Sequence, residues 1–342
     1  MVVSPPLRRL LLTLVAVACV AGDDVAAAGD PPAIDPLAAE TVLFLGDSIT
    51  YAGHYVDLVD LAFREAAIAR DTAAPTVIGI GLGSETVCGM TEPGHPFPRP
   101  NVHSRLTAAL KRIRPDLVFA CYGMNDGIYR PFDEERFACY RDGLTRLCDE
   151  VLATGATLVV LTPPPFDAAA RSRRTDDLRD TFSGDEQGLY RGYDEVLARY
   201  AEFVRSLAED TRYGGHPEIG ERFAVVDLRT PMLERAEAER ASDPTFTFTP
   251  DGIHPQQAGH RIMAEAVLST LDVPVPTASA DVLKQVRQRN VLLRDAYLTA
   301  VGHERPNTRA GKPLTDALPE AAALDETITA TLERSRELQP AE

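Results

Sequence analysis

Short runs of apolar and β-branched residues alternate along the chain with longer segments whose apolar residues recur at helical spacing. Such a run, bounded by turn residues, is typical of a strand that is covered on both faces of a parallel sheet. The predicted strands cover residues 41–45, 75–80, 116–122, 157–162 and 223–228.

The intervening helical segments predict that the sheet is covered by helices on both faces. They cover residues 55–70, 101–113, 133–153, 189–207 and 231–240, and a last helix that opens within residues 249–260 and ends near 271. Because right-handed crossovers leave few topologies, we predict the α/β class: a three-layer α/β/α sandwich around a five-stranded parallel sheet of flavodoxin-like order.

The two ends of the chain do not follow this pattern. The first residues are basic, then apolar for about ten residues and then small, as in a secretory signal peptide. Two further helices are predicted at 280–299 and 316–337, where Leu and Val at helical spacing indicate packing on the domain or on a partner. The predicted units are a signal peptide (1–28), a spacer (29–40), the α/β domain (41–272) and a helical C-terminal extension (273–342).

The export segment leaves two questions open. Cleavage could follow Ala18 or fall within residues 26–28, and Cys19 also permits a lipoprotein, in which the cysteine becomes the lipidated first residue. We therefore expect a periplasmic or extracellular protein, with a membrane partner only if Cys19 is lipidated.

Charge and cysteine usage exclude some classes of function. The formal net charge of -16 disfavours nucleic acid or an anionic membrane as partner, because like charges repel. Cys139 and Cys148 lie nine residues apart in one predicted helix, so they face opposite sides and cannot form a disulfide. Neither a C-x-x-C pair nor a zinc-like histidine spacing is present, so we predict no metal and no cofactor.

The stretch that ends the first strand carries candidate chemistry. Gly46 permits a tight turn, and Asp47 and Ser48 follow it at the start of a helix, where N–H groups would face a developing negative charge. Ser48 is a candidate nucleophile, although serine and aspartate in this place are also the preferred helix caps.

A serine hydroxyl needs a base to remove its proton, usually a histidine that is oriented by a carboxylate. Asp251 and His254 provide both within one short turn around Gly252, and Pro255 suits the first turn of a helix that begins at the histidine. Asn125, in a Gly-rich loop after the third strand, is a candidate donor to an oxyanion. Capping, surface and turn positions are the structural alternatives for these three residues.

Taken in order, these stretches resemble the SGNH hydrolases, also called GDSL-type esterases and lipases. Residues 46–48 (Gly-Asp-Ser) resemble the first family block, 123–126 (Gly-Met-Asn-Asp) the third and 251–254 (Asp-Gly-Ile-His) the fifth. The resemblance implies that Ser48 is the nucleophile and a backbone oxyanion donor, that Asn125 is the side-chain donor, and that His254 is the general base, oriented by Asp251.

The second family block departs from the pattern. The family glycine whose N–H enters the oxyanion hole aligns with Ser84, with Gly83 beside it, so either residue could be the donor. Polar residues near the same loops are candidate substrate contacts: Asp47, Tyr51, Glu85, Tyr122 and Asp126, with His54, Arg99 and His103 as further candidates.

The resemblance implies an exported serine esterase that hydrolyses small acyl esters, in particular O-acetyl groups on carbohydrate. A lysophospholipase or thioesterase using the same site is the first alternative, and transacylation is another. A glycan-binding module of the cell envelope that retains the fold is an alternative of a different class. The sequence does not indicate an oligomeric state.

Overall fold

The computed structural model describes Met1 and residues 34–337. The predicted signal peptide and the lipidation of Cys19 lie outside the described residues. Strands are present at β1 (Thr41–Gly46), β2 (Thr76–Gly79), β3 (Leu117–Cys121), β4 (Thr157–Leu161), β5 (Leu178–Arg179), β6 (Leu189–Tyr190) and β7 (Phe223–Val226).

Helices fill the segments between the strands and follow the last one. They are α1 (Ser48–Ala52), α2 (His54–Arg70), α3 (Leu106–Ile113), α4 (Glu134–Leu152), α5 (Ala168–Ser172), α6 (Tyr193–Ser206), α7 (Arg229–Arg240), α8 (Gln257–Thr270), α9 (Ala280–Val301) and α10 (Leu314–Glu337). None of these described helices is both long enough and apolar enough to cross a membrane.

The main sheet is parallel throughout, with strand order β2-β1-β3-β4-β7. This is the predicted five-stranded, flavodoxin-like order, and the α/β class is confirmed. The side chains of β1 and β3 are buried on both faces, and the rings of Phe44 and Phe119 stack at 4.5 Å across the two strands. Burial of continuous apolar strands therefore explains why the sequence pattern showed no alternation.

Three predicted helix starts are wrong. The helix predicted at 101–113 is α3 and begins only at Leu106, after a short 3-10 turn at Val102–Ser104. Residues 189–190 form β6, which pairs with β5 in a small separate sheet, so that α6 begins only at Tyr193. The last helix of the domain begins at Gln257 rather than at His254. Residues 251–254 stay outside the helix, because the Asp251 carboxylate accepts the N–H groups of Ile253 and His254 and so competes with helical hydrogen bonding.

The cysteines follow the prediction from helical spacing. On α4, Cys139 is exposed and Cys148 is buried, which confirms that they face opposite sides. Cys121 is buried in β3 as expected, and these three thiols and that of Cys88 are free.

The C-terminal helices pack on the domain. α9 lies against α2, α3 and β2, and α10 packs along α9. Arg289 of α9 is buried between Asp60 of α2 and Asp325 of α10, with its Nε 3.1 Å from an oxygen of Asp325. The predicted extension is therefore packed, through buried contacts, against α2, the helix that follows the Ser48 segment.

Candidate active site

Three neighbouring strands end at the same edge of the sheet. β1 lies between β2 and β3, and Gly46 at the end of β1 pairs with Cys121 at the end of β3. Ser48, Ser84 and Asn125 follow these three strands, so the parallel order brings together residues that are far apart in the chain.

The turn after β1 allows no side chain at Gly46. A Cβ at this position would lie 2.2 Å from Oγ1 of Thr50 and 2.8 Å from the Cys121 carbonyl oxygen, as the predicted tight turn requires. Asp47 is the N-cap of α1, because its Oδ1 accepts the Ile49 N–H at 2.9 Å. The capping role therefore belongs to Asp47, and the Ser48 hydroxyl is available for other contacts.

Arginines of α9 hold the other end of α1. Arg294 donates to the Tyr51 carbonyl oxygen at 2.8 Å, and Arg287 donates to the Ala52 carbonyl oxygen at 3.1 Å. A cation near the last carbonyls of a helix is favourable, because those groups carry the negative end of the helix dipole. The helix that presents Ser48 is thus held by its own cap and by the C-terminal extension.

Ser48, His254 and Asp251 form one hydrogen-bonded chain. The Ser48 Oγ lies 2.9 Å from Nε2 of His254, and His254 Nδ1 lies 2.7 Å from Oδ2 of Asp251. An ionised carboxylate can only accept, so Nδ1 carries the proton and Nε2 presents its lone pair to the serine hydroxyl. This is the arrangement in which a histidine can act as a general base toward a serine.

Hydrogen bonds within the turn of residues 251–254 shift the pKa values of Asp251 and His254 in opposite directions. Partial burial alone would raise the pKa of Asp251, but hydrogen bonds from the His254 ring and from two backbone N–H groups hold that pKa well below its usual range. The hydrogen bond to Asp251 in turn raises the pKa of His254. Gly252 has φ +83°, which gives the turn a backbone conformation that other residues rarely adopt.

The orientation of the Asn125 amide is defined by its neighbours. Its Oδ1 accepts from the Arg99 guanidinium at 3.0 Å and from the Tyr129 hydroxyl at 3.2 Å. Its Nδ2 donates one hydrogen to the Glu85 carbonyl oxygen at 3.1 Å. Because an arginine can only donate, the amide cannot flip, and the second Nδ2 hydrogen remains available.

The second block offers two backbone donors. The N–H groups of Gly83 and Ser84 have no acceptor among residues 34–337, and both residues are half-exposed. Ser84 has φ +64°, the left-handed conformation that glycine adopts more easily. The geometry thus provides both of the candidate donors and does not select between them.

Three of the predicted substrate contacts have buried side chains with protein partners. The Glu85 carboxylate binds the Arg105 guanidinium through both oxygens and also accepts from the Tyr122 hydroxyl at 2.7 Å. The Asp126 carboxylate accepts the N–H groups of Val87 and Cys88 and is fully buried. In this structure these side chains support the loop after β2, and their role as substrate contacts stays a prediction.

Two of the other candidates, Tyr51 and His54, contact arginines of α9. The Tyr51 ring packs under the Arg294 guanidinium at 4.0 Å, and His54 contacts Arg287 at 3.0 Å. His103 binds the Gly143 carbonyl oxygen on α4 and is not brought to the Ser48 cluster.

The sequence motifs do not reveal which groups Arg99 and Arg105 bind. Arg99, considered only as a substrate contact, binds Glu92 through both oxygens and orients Asn125. Arg105, which no sequence motif singles out, is buried against Glu85. Both arginines and both glutamates lie in or next to one Gly- and Pro-rich loop. Residues of opposite charge within a segment of many apolar residues are the sequence signal that could have indicated these ion pairs.

The described part of the chain contains no group of three or more His, Cys, Asp or Glu side chains that could hold a metal ion. The polar groups that the fold brings together at this edge are the hydrogen-bonded serine, the amide of Asn125 and the backbone N–H groups beside it.

Comparison with known families decides the class of protein. The model of the GDSL-like Lipase/Acylhydrolase family matches residues 44–262, which include Ser48, Ser84, Asn125, Asp251 and His254. The chain belongs to this family. It is therefore a hydrolase of ester bonds, and the resemblance to SGNH hydrolases is confirmed.

Solved structures include proteins of similar fold, whereas no curated protein matches the chain. The gut microbial diltiazem-metabolizing enzyme BT4096 is 21% identical over 70% of this chain, with a TM-score of 0.51, and the match spans about half (49%) of its own length. A catalytic mutant of Axe2, an acetylxylan esterase from Geobacillus stearothermophilus, is 20% identical over 70% of this chain and 97% of its own, with a TM-score of 0.47.

Asp47 gives the stability of this esterase a pH dependence that can be measured. Burial raises its pKa from 3.8 to about 7, so the folded protein retains a proton that the unfolded chain releases. Stability from this group is present below pH 3.8 and is lost as the pH rises to about 7. Asp47→Asn, which keeps the oxygen that accepts from Ile49, should gain stability relative to wild type across this window.

Urea denaturation at several pH values measures this difference. The control is Asp142→Asn, the same substitution at an exposed position of α4. A difference between Asp47→Asn and wild type that does not vary with pH would contradict the assignment.

Proposed function

We propose that this ester hydrolase is an exported serine esterase that acts on small acyl esters, in particular O-acetyl groups on carbohydrate. The observation that carries the mechanism is the hydrogen-bonded chain from Ser48 through His254 to Asp251. In the proposed first step the His254 Nε2 takes the proton of the Ser48 hydroxyl while Oγ attacks the ester carbonyl carbon.

The carbonyl oxygen then becomes an oxyanion that needs preorganised donors. The proposed donors are the N–H of Ser48, the free Nδ2 hydrogen of Asn125 and the N–H of Gly83 or Ser84. Each such donor typically lowers the barrier by about 3 kcal/mol. Collapse of the intermediate expels the alcohol, which takes the proton from His254, and water activated by the same nitrogen hydrolyses the acyl-enzyme.

The distribution of exposed apolar side chains supports a small acyl group rather than a lipid. Large exposed apolar side chains of residues 34–337 lie at Leu233, Val275 and Leu318, in α7, before α9 and in α10. The segments that carry Ser48, Asn125 and His254 do not contribute to them. The proposal that the alcohol of the ester is a carbohydrate rests on the resemblance of the sequence blocks to those of the SGNH hydrolases.

Ester hydrolysis by single-site variants tests the mechanism. Wild type should release p-nitrophenol fastest from the acetate ester, with lower rates on butyrate and octanoate, in the presence of EDTA. Ser48→Ala and His254→Ala should each lose at least about 10³-fold in kcat, because the nucleophile and its base act as one unit.

Ser242→Ala, an exposed serine at the end of α7, is the matched control and should retain full activity. Preference for octanoate would replace the carbohydrate ester with a lipid ester, and equal rates in Ser48→Ala and wild type would refute the serine mechanism. Acetate release from acetylated oligosaccharides then tests the alcohol.

The pH profile tests the pairing of Asp251 with His254. Because the hydrogen bond to Asp251 raises the pKa of His254 above 6.5, kcat/KM should fall on the acid side with a midpoint above that value. Asp251→Asn should move this midpoint to lower pH and reduce the plateau by roughly 10⁴-fold, because the carboxylate no longer fixes the tautomer.

Initial rates on the acetate ester, read at the isosbestic wavelength of p-nitrophenol, give this profile without interference from titration of the product. An acid limb that keeps its midpoint in Asp251→Asn would show that another group controls the base.

Export is tested on the N-terminus of the protein itself. When the full chain is expressed in a bacterial host, mature protein should be recovered outside the cytoplasm and should begin after Ala18 or within residues 26–29. A mature chain that begins with a lipid-modified Cys19 would establish the lipoprotein alternative. An intact Met1 on cytoplasmic protein would exclude export.

A further inference from the structure

The loop between α9 and α10, residues 302–313, reaches the edge of the sheet where Ser48 lies. A Cβ placed on Gly83 would be 2.9 Å from Nε and 3.3 Å from Nη2 of Arg305. The same guanidinium lies 5.4 Å from the ring centre of Phe97, in the long loop that follows β2. Arg305 is outside the matched family region, yet it contacts the segment that carries the candidate backbone donors.

Arg305 differs from the other arginines of this loop cluster in its partners. Arg99 and Arg105 each bind both oxygens of a glutamate. Within residues 34–337, no carboxylate lies within the 4.0 Å limit for an ion pair with Arg305. The hydrogen bonds that Arg305 donates are long and stay within its own loop, with Nη1 3.3 Å from the Pro306 carbonyl oxygen and 3.5 Å from the Thr308 Oγ1.

The Nε of Arg305 is buried and has no hydrogen-bond partner in the described part of the chain. Leaving a buried donor of a charged group unpaired is costly, and the planar guanidinium is suited to bind a carboxylate through two parallel hydrogen bonds. The protein as a whole carries a formal net charge of -16, so an anionic ligand would need such a local positive charge in order to approach.

We propose that Arg305 binds a carboxylate of the ester substrate and so makes the enzyme selective for acylated acidic sugars. This deepens the proposed function and rests on it. The carboxylate would lie beside Gly83, while the ester carbonyl lies at Ser48. The C-terminal extension thereby supplies a specificity-determining contact that the matched family region does not contain.

Paired substrates that differ in a single charge test this contact. One pair is 4-acetoxybenzoate and its methyl ester, and the other is an O-acetylated oligogalacturonide and the same oligomer with its carboxylates methyl-esterified. Arg305→Gln should lower kcat/KM for the acidic member of at least one pair by about tenfold or more, mainly through KM, because a charge-assisted hydrogen bond is lost. The neutral members should change by less than about twofold.

Three further variants sharpen the result. Arg305→Lys should retain part of the selectivity, and Arg305→Glu should invert it in favour of the neutral esters. Arg309→Gln makes the same change of charge in the same loop on a side chain that is 81% exposed, and should leave both rates unchanged. Added salt should reduce the selectivity of wild type but not that of Arg305→Gln.

Two outcomes would overturn the proposal while leaving the esterase mechanism intact. Arg305→Gln could lower the rates on acidic and neutral esters equally, which would make Arg305 a structural part of the loop. The ratio of acidic to neutral rates could also be unchanged in both pairs although hydrolysis depends on Ser48. Failure of wild type to hydrolyse any of the four esters would instead refute the proposed function itself.

Discussion

The parallel pairing of β2, β1 and β3 is the constraint on which the rest of the structure depends. In a parallel sheet the carboxyl ends of adjacent strands lie at one edge, so the loops that follow them must meet there. The pairing of Gly46 with Cys121 sets how far the Ser48 and Asn125 segments extend beyond that edge. Because β1 and β3 are buried on both faces, a shift in this pairing would displace the apolar core as well as the site.

Buried charge gives this edge its rigidity. Glu85 and Arg105 are almost fully buried, and Arg99 links Glu92 to the Asn125 amide. Such pairs contribute little net stability compared with apolar packing, but removal of one partner leaves an uncompensated buried charge. The long loop after β2 is therefore held in one arrangement despite its many Gly and Pro residues, and the amide that it contacts keeps one orientation.

Much of this architecture could be predicted from sequence, for physical reasons. The strands are short apolar runs bounded by turn residues, and Gly46 and Gly252 mark turns that only glycine suits, so local patterns were sufficient there. The start of α8 was misplaced because the Asp251 side chain captures two backbone N–H groups, which Pro255 alone does not reveal. The partners of Arg99 and Arg105 and the approach of Arg305 to Gly83 depend on which loops meet in space, and spacing along the chain contains no such information.

The contacts of the α9 arginines limit where the chain can be divided into independent parts. Arg287 and Arg294 donate to the last carbonyls of the five-residue helix that begins with Ser48. Homology alone would end the enzyme at residue 262, yet the two arginines that bind the end of the Ser48 helix lie downstream of that point. The matched family region and the C-terminal extension are thus not separable modules. An excised or chimaeric domain would need other groups in place of these two arginine contacts.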